Sequence, residues 1–147
     1  MPIHSEEQLL PYSTQHIYDL VADVEHYPEF LPWCRAARIL ERGEREFLGE
    51  LVICYKHICE QYTSRVMLTP PDAPHAPCRI DVTLVRGPFQ HLNNIWEFIP
   101  EGDATRVKFQ LDFAFKSKLL DKLLGGFFHK AAQKMVDAFK ARAATGI

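Results

Sequence analysis

Apolar and polar residues alternate almost without fault in RVKFQLDFAFK, from Arg106 to Lys116. Val107, Phe109, Leu111, Phe113 and Phe115 share one side of an extended chain, and Arg106, Lys108, Gln110, Asp112 and Lys116 share the other, with Ala114 neutral. A period of two over this length predicts a strand with one buried and one wet face. The three phenylalanines on the buried side face either a packed core or a ligand.

The same reading extends along the chain. IHSEEQLL (3–10) predicts a short first strand, and Ser13 or Thr14 caps a helix whose apolar stripe is Ile17, Leu20, Val21 and Val24. Pro28 and Pro32 interrupt regular structure, with one helical turn expected between them. Strands then follow: RAARILE (35–41), weakly patterned; EFLGELVICYK (46–56), with Phe47, Gly49, Leu51, Ile53 and Tyr55 on one parity; ICEQYTSRVML (58–68), mixed on both faces. PPDAPHAP (70–77) is a loop, with four prolines in eight residues. CRIDVTLV (78–85) and GPFQHLNNIWEFIP (87–100) are further strands, the latter with Leu92, Trp96 and Phe98 in phase, and Gly102–Asp103 is a favoured turn pair leading into the opening stretch.

The last segment, residues 117–143, predicts one long amphipathic helix capped by Ser117. Leu120, Leu124, Phe128, Ala131, Met135, Phe139 and Arg142 form its inner stripe, and Leu119, Leu123 and Phe127 widen the apolar arc in the first half. Gly125 and Gly126 lie inside it, where each costs about 1 kcal/mol against Ala. They act either as a hinge that lets the first half lift as a lid, or as a point where the helix backbone approaches the sheet. A curved antiparallel sheet with a long C-terminal helix across its concave face satisfies every apolar stripe, which makes the expected class α+β.

At 147 residues the expectation is a single domain, 1–147, burying roughly 70% of its unfolded surface. The net charge of −2 excludes nucleic-acid binding by bulk charge alone, but the charge is uneven. Residues 1–31 carry six acidic side chains and no Lys or Arg, whereas residues 116–142 carry seven basic ones against Asp121 and Asp137. That basic tail is either a solvated helix face or a surface steered toward anionic lipid or RNA. Cys34, Cys54, Cys59 and Cys78 lack metal-ligand spacing and read as reduced structural thiols. With no secretory signal pattern and no run of 18 apolar residues, the expected location is cytoplasmic.

Four segments carry a family resemblance: VEHYPEFLPWC (24–34), GPFQHLNNIWEF (87–98), VKFQLDFAF (107–115) and MVDAFKARA (135–143). In this order, over about residues 3–143, the chain resembles the coenzyme-Q-binding family of START-type domains, a group that also holds the bacterial ribosome-association toxins, within the polyketide cyclase/dehydrase superfamily. Tyr27, Pro28, Phe30, Leu31, Pro32, Trp33 and Cys34 match the first motif, and Gly87, Pro88, Phe89, Leu92 and Trp96 the second. The resemblance implies a helix-grip (START/Bet v 1-like) fold with a hydrophobic tunnel. It also implies binding of ubiquinone or a related polyprenyl lipid, in support of respiratory electron transport and without catalysis. Eukaryotic members are mitochondrial, and the absence of a transit peptide favours a bacterial cytoplasmic protein, peripheral to the inner membrane when it exchanges lipid.

The expected cavity lining is then Trp33, Phe47, Leu51, Ile53 and Tyr55 from the first half, Leu92, Trp96, Phe98, Phe109, Leu111 and Phe113 from the later strands, and Leu120, Leu124, Phe128 and Met135 from the helix. Tyr55, Tyr62, Trp96 and Asn94 are the candidate donors for a quinone head. Leu119, Leu123 and Phe127, edged by Lys118, Lys122 and Lys130, form the expected membrane or RNA contact. No covalent cofactor and no metal site is expected. The first alternative is a protein that binds the large ribosomal subunit and blocks subunit joining. The second is a cyclase-like enzyme, which requires an acid/base pair such as His57 or His91 with Asp81 or Glu60 in the cavity. No hydrolase, zincin or phosphate-loop motif is present.

Overall fold

The computed structural model describes residues 3–145. In chain order its elements are β1 (Ile3–Leu10), α1 (Thr14–Ala22), a 3₁₀ helix (Val24–Glu29), β2 (Cys34–Arg42), β3 (Glu46–Tyr55), β4 (Ile58–Thr69), β5 (Cys78–Arg86), β6 (Phe89–Glu101), β7 (Ala104–Phe115), α2 (Lys118–Gln133) and α3 (Met135–Ala143). The strands form one antiparallel sheet in the order β1-β7-β6-β5-β4-β3-β2. All sequential neighbours from β2 to β7 pair as hairpins, while β1 closes the far edge against β7, from Ile3↔Asp112 to Leu10↔Thr105. The helices gather on one face, as the apolar stripes require.

Local chemistry sets the element boundaries. Ser13 caps α1 by accepting the His16 N–H at 3.1 Å, and Ser117 caps α2 by accepting the Leu120 N–H at 2.9 Å. Gly102, at φ +61°, turns β6 into β7. The alternation of the opening stretch is complete: Val107, Phe109, Leu111, Phe113 and Phe115 are all buried.

Three expectations need correction. The C-terminal helix is not continuous, because Lys134 leaves helical geometry (φ −102°, ψ 2°) and separates α2 from α3. The Lys134 N–H still donates to the Lys130 and Ala131 carbonyls, so the break is a tightened turn and not a loop. Pro28 lies inside the 3₁₀ helix instead of preceding a helical turn. Cys54 and Cys59 are not free thiols but a disulfide. They face each other across the β3–β4 hairpin, whose two-residue turn at Lys56–His57 brings them into register at a Cα–Cα distance of 4.1 Å. Cys34 and Cys78 stay reduced and buried.

The glycine pair in α2 is also informative. A Cβ at Gly126 would meet nothing within 4 Å, and one at Gly125 would meet only the Asp121 side chain. Neither glycine is therefore required by close approach of the helix to the sheet.

Candidate functional site

Between the sheet and the helices lies an apolar cavity of about 90 Å³, and beside it a second of about 50 Å³. Leu51, Tyr62, Leu111, Phe128, Met135 and Tyr27 line both, so the two adjoin. Two small residues on paired strands belong to the wall of the larger cavity: Gly49 of β3 sits directly opposite Ser64 of β4. Bulkier Phe47 and Leu51 flank the first, and Tyr62 and Val66 the second. The Phe47 ring and Val24 close over Gly49, within 3.3 and 3.8 Å of where a Cβ would stand, so the glycine alone does not open the space.

The expected lining residues divide. Leu92, Trp96 and Phe109 line the larger cavity, Trp33 and Ile53 the smaller, and Leu51, Leu111, Phe128 and Met135 both. The other six lie off the walls. Phe113, fully buried, meets Phe89, Phe115 and Phe128 in an aromatic cluster. Phe98 packs on Tyr18 of α1 and on Trp96. Phe47 lies beneath the Arg42 guanidinium, and Tyr55 stacks on Phe127 with ring centroids 4.6 Å apart. Leu124 is buried in the core and Leu120 packs half-buried against it. These positions flank the centre of the concave face, where sheet and helices meet and large side chains close the gap. The three phenylalanines thus part company: Phe109 faces the cavity, while Phe113 and Phe115 are core.

Parity missed part of the wall. Val21, Val24 and Tyr27 reach it from α1 and the 3₁₀ helix, Val66 from β4, Ile80 and Val82 from β5, and Phe139 from α3. Leu31, Cys34, Ala131 and Ala132 complete the smaller cavity. The run of alternate apolar residues Ile80, Val82 and Leu84 was the available signal for β5.

Of the expected head-group donors, Trp96 is already committed and Asn94 has one of its two amide N–H groups in use. The Trp96 indole N–H donates to Asn94 Oδ1 at 2.9 Å, and Asn94 Nδ2 donates to the Gln110 carbonyl at 2.8 Å. Tyr55 is outside the cavity, and the Tyr27 hydroxyl donates to the Val21 carbonyl. Tyr62 remains in the wall, and burial pushes its phenol well above the usual range, so it stays protonated. Ser64 is a second hydroxyl that the sequence reading passed over. Its side chain is buried at 4% exposure, and Oγ has no hydrogen-bond partner among the described residues.

No His, Asp, Glu, Lys or Arg lines either cavity. Of the acid/base candidates, His91 binds Asp112 at 3.0 Å on the opposite face of the sheet, Asp81 binds Arg79 at 2.8 Å, and His57 is exposed in the hairpin turn. Cys34 is pushed up to about 11 by burial, which leaves a thiol and not a thiolate at neutral pH.

On the outer face of α2, Leu119 is 65% and Leu123 43% exposed, among exposed Lys118, Lys122 and Lys130. None of these lysines forms an ion pair among the described residues. Phe127 is not part of that surface, because its ring turns inward onto Tyr55. No helix among the described residues is long and apolar enough to cross a membrane.

Residues 10–140 match the family model described as polyketide cyclase / dehydrase and lipid transport. The chain is 43% identical over 136 residues to a ribosome association toxin RatA of Rickettsia prowazekii, covering 92% of each protein. It is 33% identical to the mitochondrial coenzyme Q-binding protein COQ10 homolog B of Xenopus laevis, covering 95% of this chain but 57% of that protein. A START superfamily protein from Mycobacterium smegmatis superposes with a TM-score of 0.74 at 19% identity, over 99% of both chains. The helix-grip architecture is therefore shared across the group.

Proposed function

The chain belongs to the polyketide cyclase / dehydrase and lipid transport family, and from that premise we propose that it is a non-catalytic binding protein for ubiquinone or a related polyprenyl lipid, serving as a quinone chaperone. The observation that carries this reading is the apolar cavity between sheet and helices, with walls free of acid/base and cationic side chains. An isoprenoid tail needs no more than such a wall, at roughly 0.8 kcal/mol per buried CH₂. At about 90 and 50 Å³ the two spaces fall short of the roughly 300 Å³ at which ligand pockets begin, so uptake requires opening. α2 is the element suited to move. α3 is held by buried Val136, Phe139 and Ala143 and by Arg142 bonded to Glu29 at 2.7 Å, while α2 meets it at the Lys134 break and carries Gly126, whose Cβ position is empty. Exposed Leu119 and Leu123 among lysines would bring that helix to an anionic bilayer.

The test is organic extraction of the purified protein with mass spectrometry, followed by titration with a short-tailed ubiquinone. Wild-type protein is expected to bind the quinone, and Leu111→Trp, which adds bulk to the space common to both cavities, is expected to abolish uptake. Protein that extracts empty and fails to bind added quinone would overturn the reading.

A second reading, association with the large ribosomal subunit, is favoured by the likeness to the ribosome association toxin of Rickettsia prowazekii and by the lysines on α2 that form no ion pair among the described residues. It makes a separate prediction. Reversing Lys118, Lys122 and Lys130 to Glu should weaken co-sedimentation with ribosomal subunits, and wild-type affinity should fall steeply with salt, while Leu111→Trp should leave both unchanged.

A further inference from the structure

We propose that Ser64 is the polar anchor of the cavity, donating a hydrogen bond to a carbonyl oxygen on an otherwise apolar ligand. The inference rests on the cavity-binding reading above and specifies the ligand's chemistry within it. A buried hydroxyl without a partner is costly, by about 1–3 kcal/mol, and native proteins rarely keep one without use for it. Ser64 Oγ is such a group: buried, unpartnered among the described residues, and in the wall of the larger cavity.

Its surroundings define what it can bind. The facing residue on β3 is Gly49, which has no side chain of its own to offer the hydroxyl a partner, and the groups nearest its Cβ position are the apolar Phe47 ring and Val24. Of the nitrogen donors of the wall, the Trp96 indole is spent on Asn94, and Asn94 has one of its two amide N–H groups on the Gln110 carbonyl. The Tyr27 hydroxyl is spent on Val21. What remains is a neutral O–H in an apolar surround, with Tyr62 as the other hydroxyl of the wall. A neutral donor without any cationic neighbour in the wall selects a carbonyl over a carboxylate or phosphate, whose charge would be left buried and unpaired. Pure hydrocarbon would leave the hydroxyl unsatisfied. The ligand class that fits is an apolar body bearing a ketone or quinone carbonyl.

The experiment compares two probes in full-length protein, decylubiquinone and decylbenzene, which share a tail and a six-membered ring and differ in the quinone's carbonyl, methoxy and methyl groups. Each is titrated against wild type and Ser64→Ala by isothermal titration calorimetry. Ser64→Ala should keep or raise the thermal midpoint, since it removes an unsatisfied group with little loss of volume. It should weaken decylubiquinone roughly three- to tenfold, the worth of one net hydrogen bond, and leave decylbenzene unchanged. Unchanged decylubiquinone affinity in the variant would overturn the role of Ser64 while leaving the cavity reading intact. Equal weakening of both probes would show a packing effect and overturn it as well. Failure of wild type to bind either probe would overturn the cavity reading and this inference with it.

Discussion

Gly87 shows how closely single positions govern the cavity. It sits at φ +152°, and a Cβ there would lie 2.5 Å from the Tyr62 Cβ. Gly87→Ala is therefore expected to cost about 2 kcal/mol or more, through backbone strain and displacement of Tyr62, and to lower the urea midpoint. Phe113 illustrates the limit of strand parity. Alternation places Phe109 and Phe113 on the same buried face, and the structure agrees, yet one lines the cavity and the other is sealed in an aromatic cluster. Parity assigns a side chain to a face and says nothing of what stands opposite. That depends on which residues the neighbouring strands and helices set across from it, and alternation along one strand does not carry that information. A tryptophan at 113 would consequently strain the core, by about 1–3 kcal/mol, whereas one at 111 enters open space.

At the scale of elements the sequence was legible wherever a local rule acts. The serine caps, the proline loop, the Gly102 turn and the alternating strands all follow from chemistry within a few residues. What escaped were features settled by distant partners. The C-terminal segment has an unbroken helical pattern, but the structure tightens it at Lys134, immediately before Met135 enters the wall of both cavities. The disulfide escaped because Cys54 and Cys59 look unremarkable until the hairpin register sets them opposite. The glycine pair yields a prediction here. Because nothing lies near a Cβ at Gly126, Gly126→Ala should stabilise the protein by about 1 kcal/mol through helix propensity alone. If α2 flexes to admit ligand, the same variant should slow quinone uptake in a stopped-flow measurement while leaving equilibrium affinity close to wild type. Unaltered uptake would remove the glycines from the opening motion.

For the whole molecule, buried protonated groups tie stability to alkaline pH. Burial pushes the Tyr27 and Tyr62 phenols above their ordinary range, Cys34 up to about 11 and Cys78 up to about 12. All four are raised in the folded state, so the native protein holds protons that the unfolded chain releases. Their contribution is complete below the unfolded thiol range and is lost as pH rises through the folded values. Unfolding free energy should thus be flat with respect to these groups up to about pH 8 and then decline. Above pH 10 each buried phenol adds a slope of about 1.4 kcal/mol per pH unit. Urea titrations between pH 8 and pH 11 measure this, and Tyr62→Phe should reduce the slope by that amount. A flat profile to pH 11 would mean that these side chains meet water in the native state.

The pairing of the first strand with the last has a consequence in time. β1 finds its hydrogen-bonding partner only in β7, where Leu10 meets Thr105, and the two helices that cover the concave face come later still. On a ribosome adding roughly 5–20 residues per second, the N-terminal strand waits on the order of ten seconds for its neighbour. Through that interval the hairpins from β2 to β6 can assemble in order of synthesis, with their aromatic face open to the cell. The fold closes in two steps, first when β7 joins β1 to the sheet and then when the helices cover the concave face.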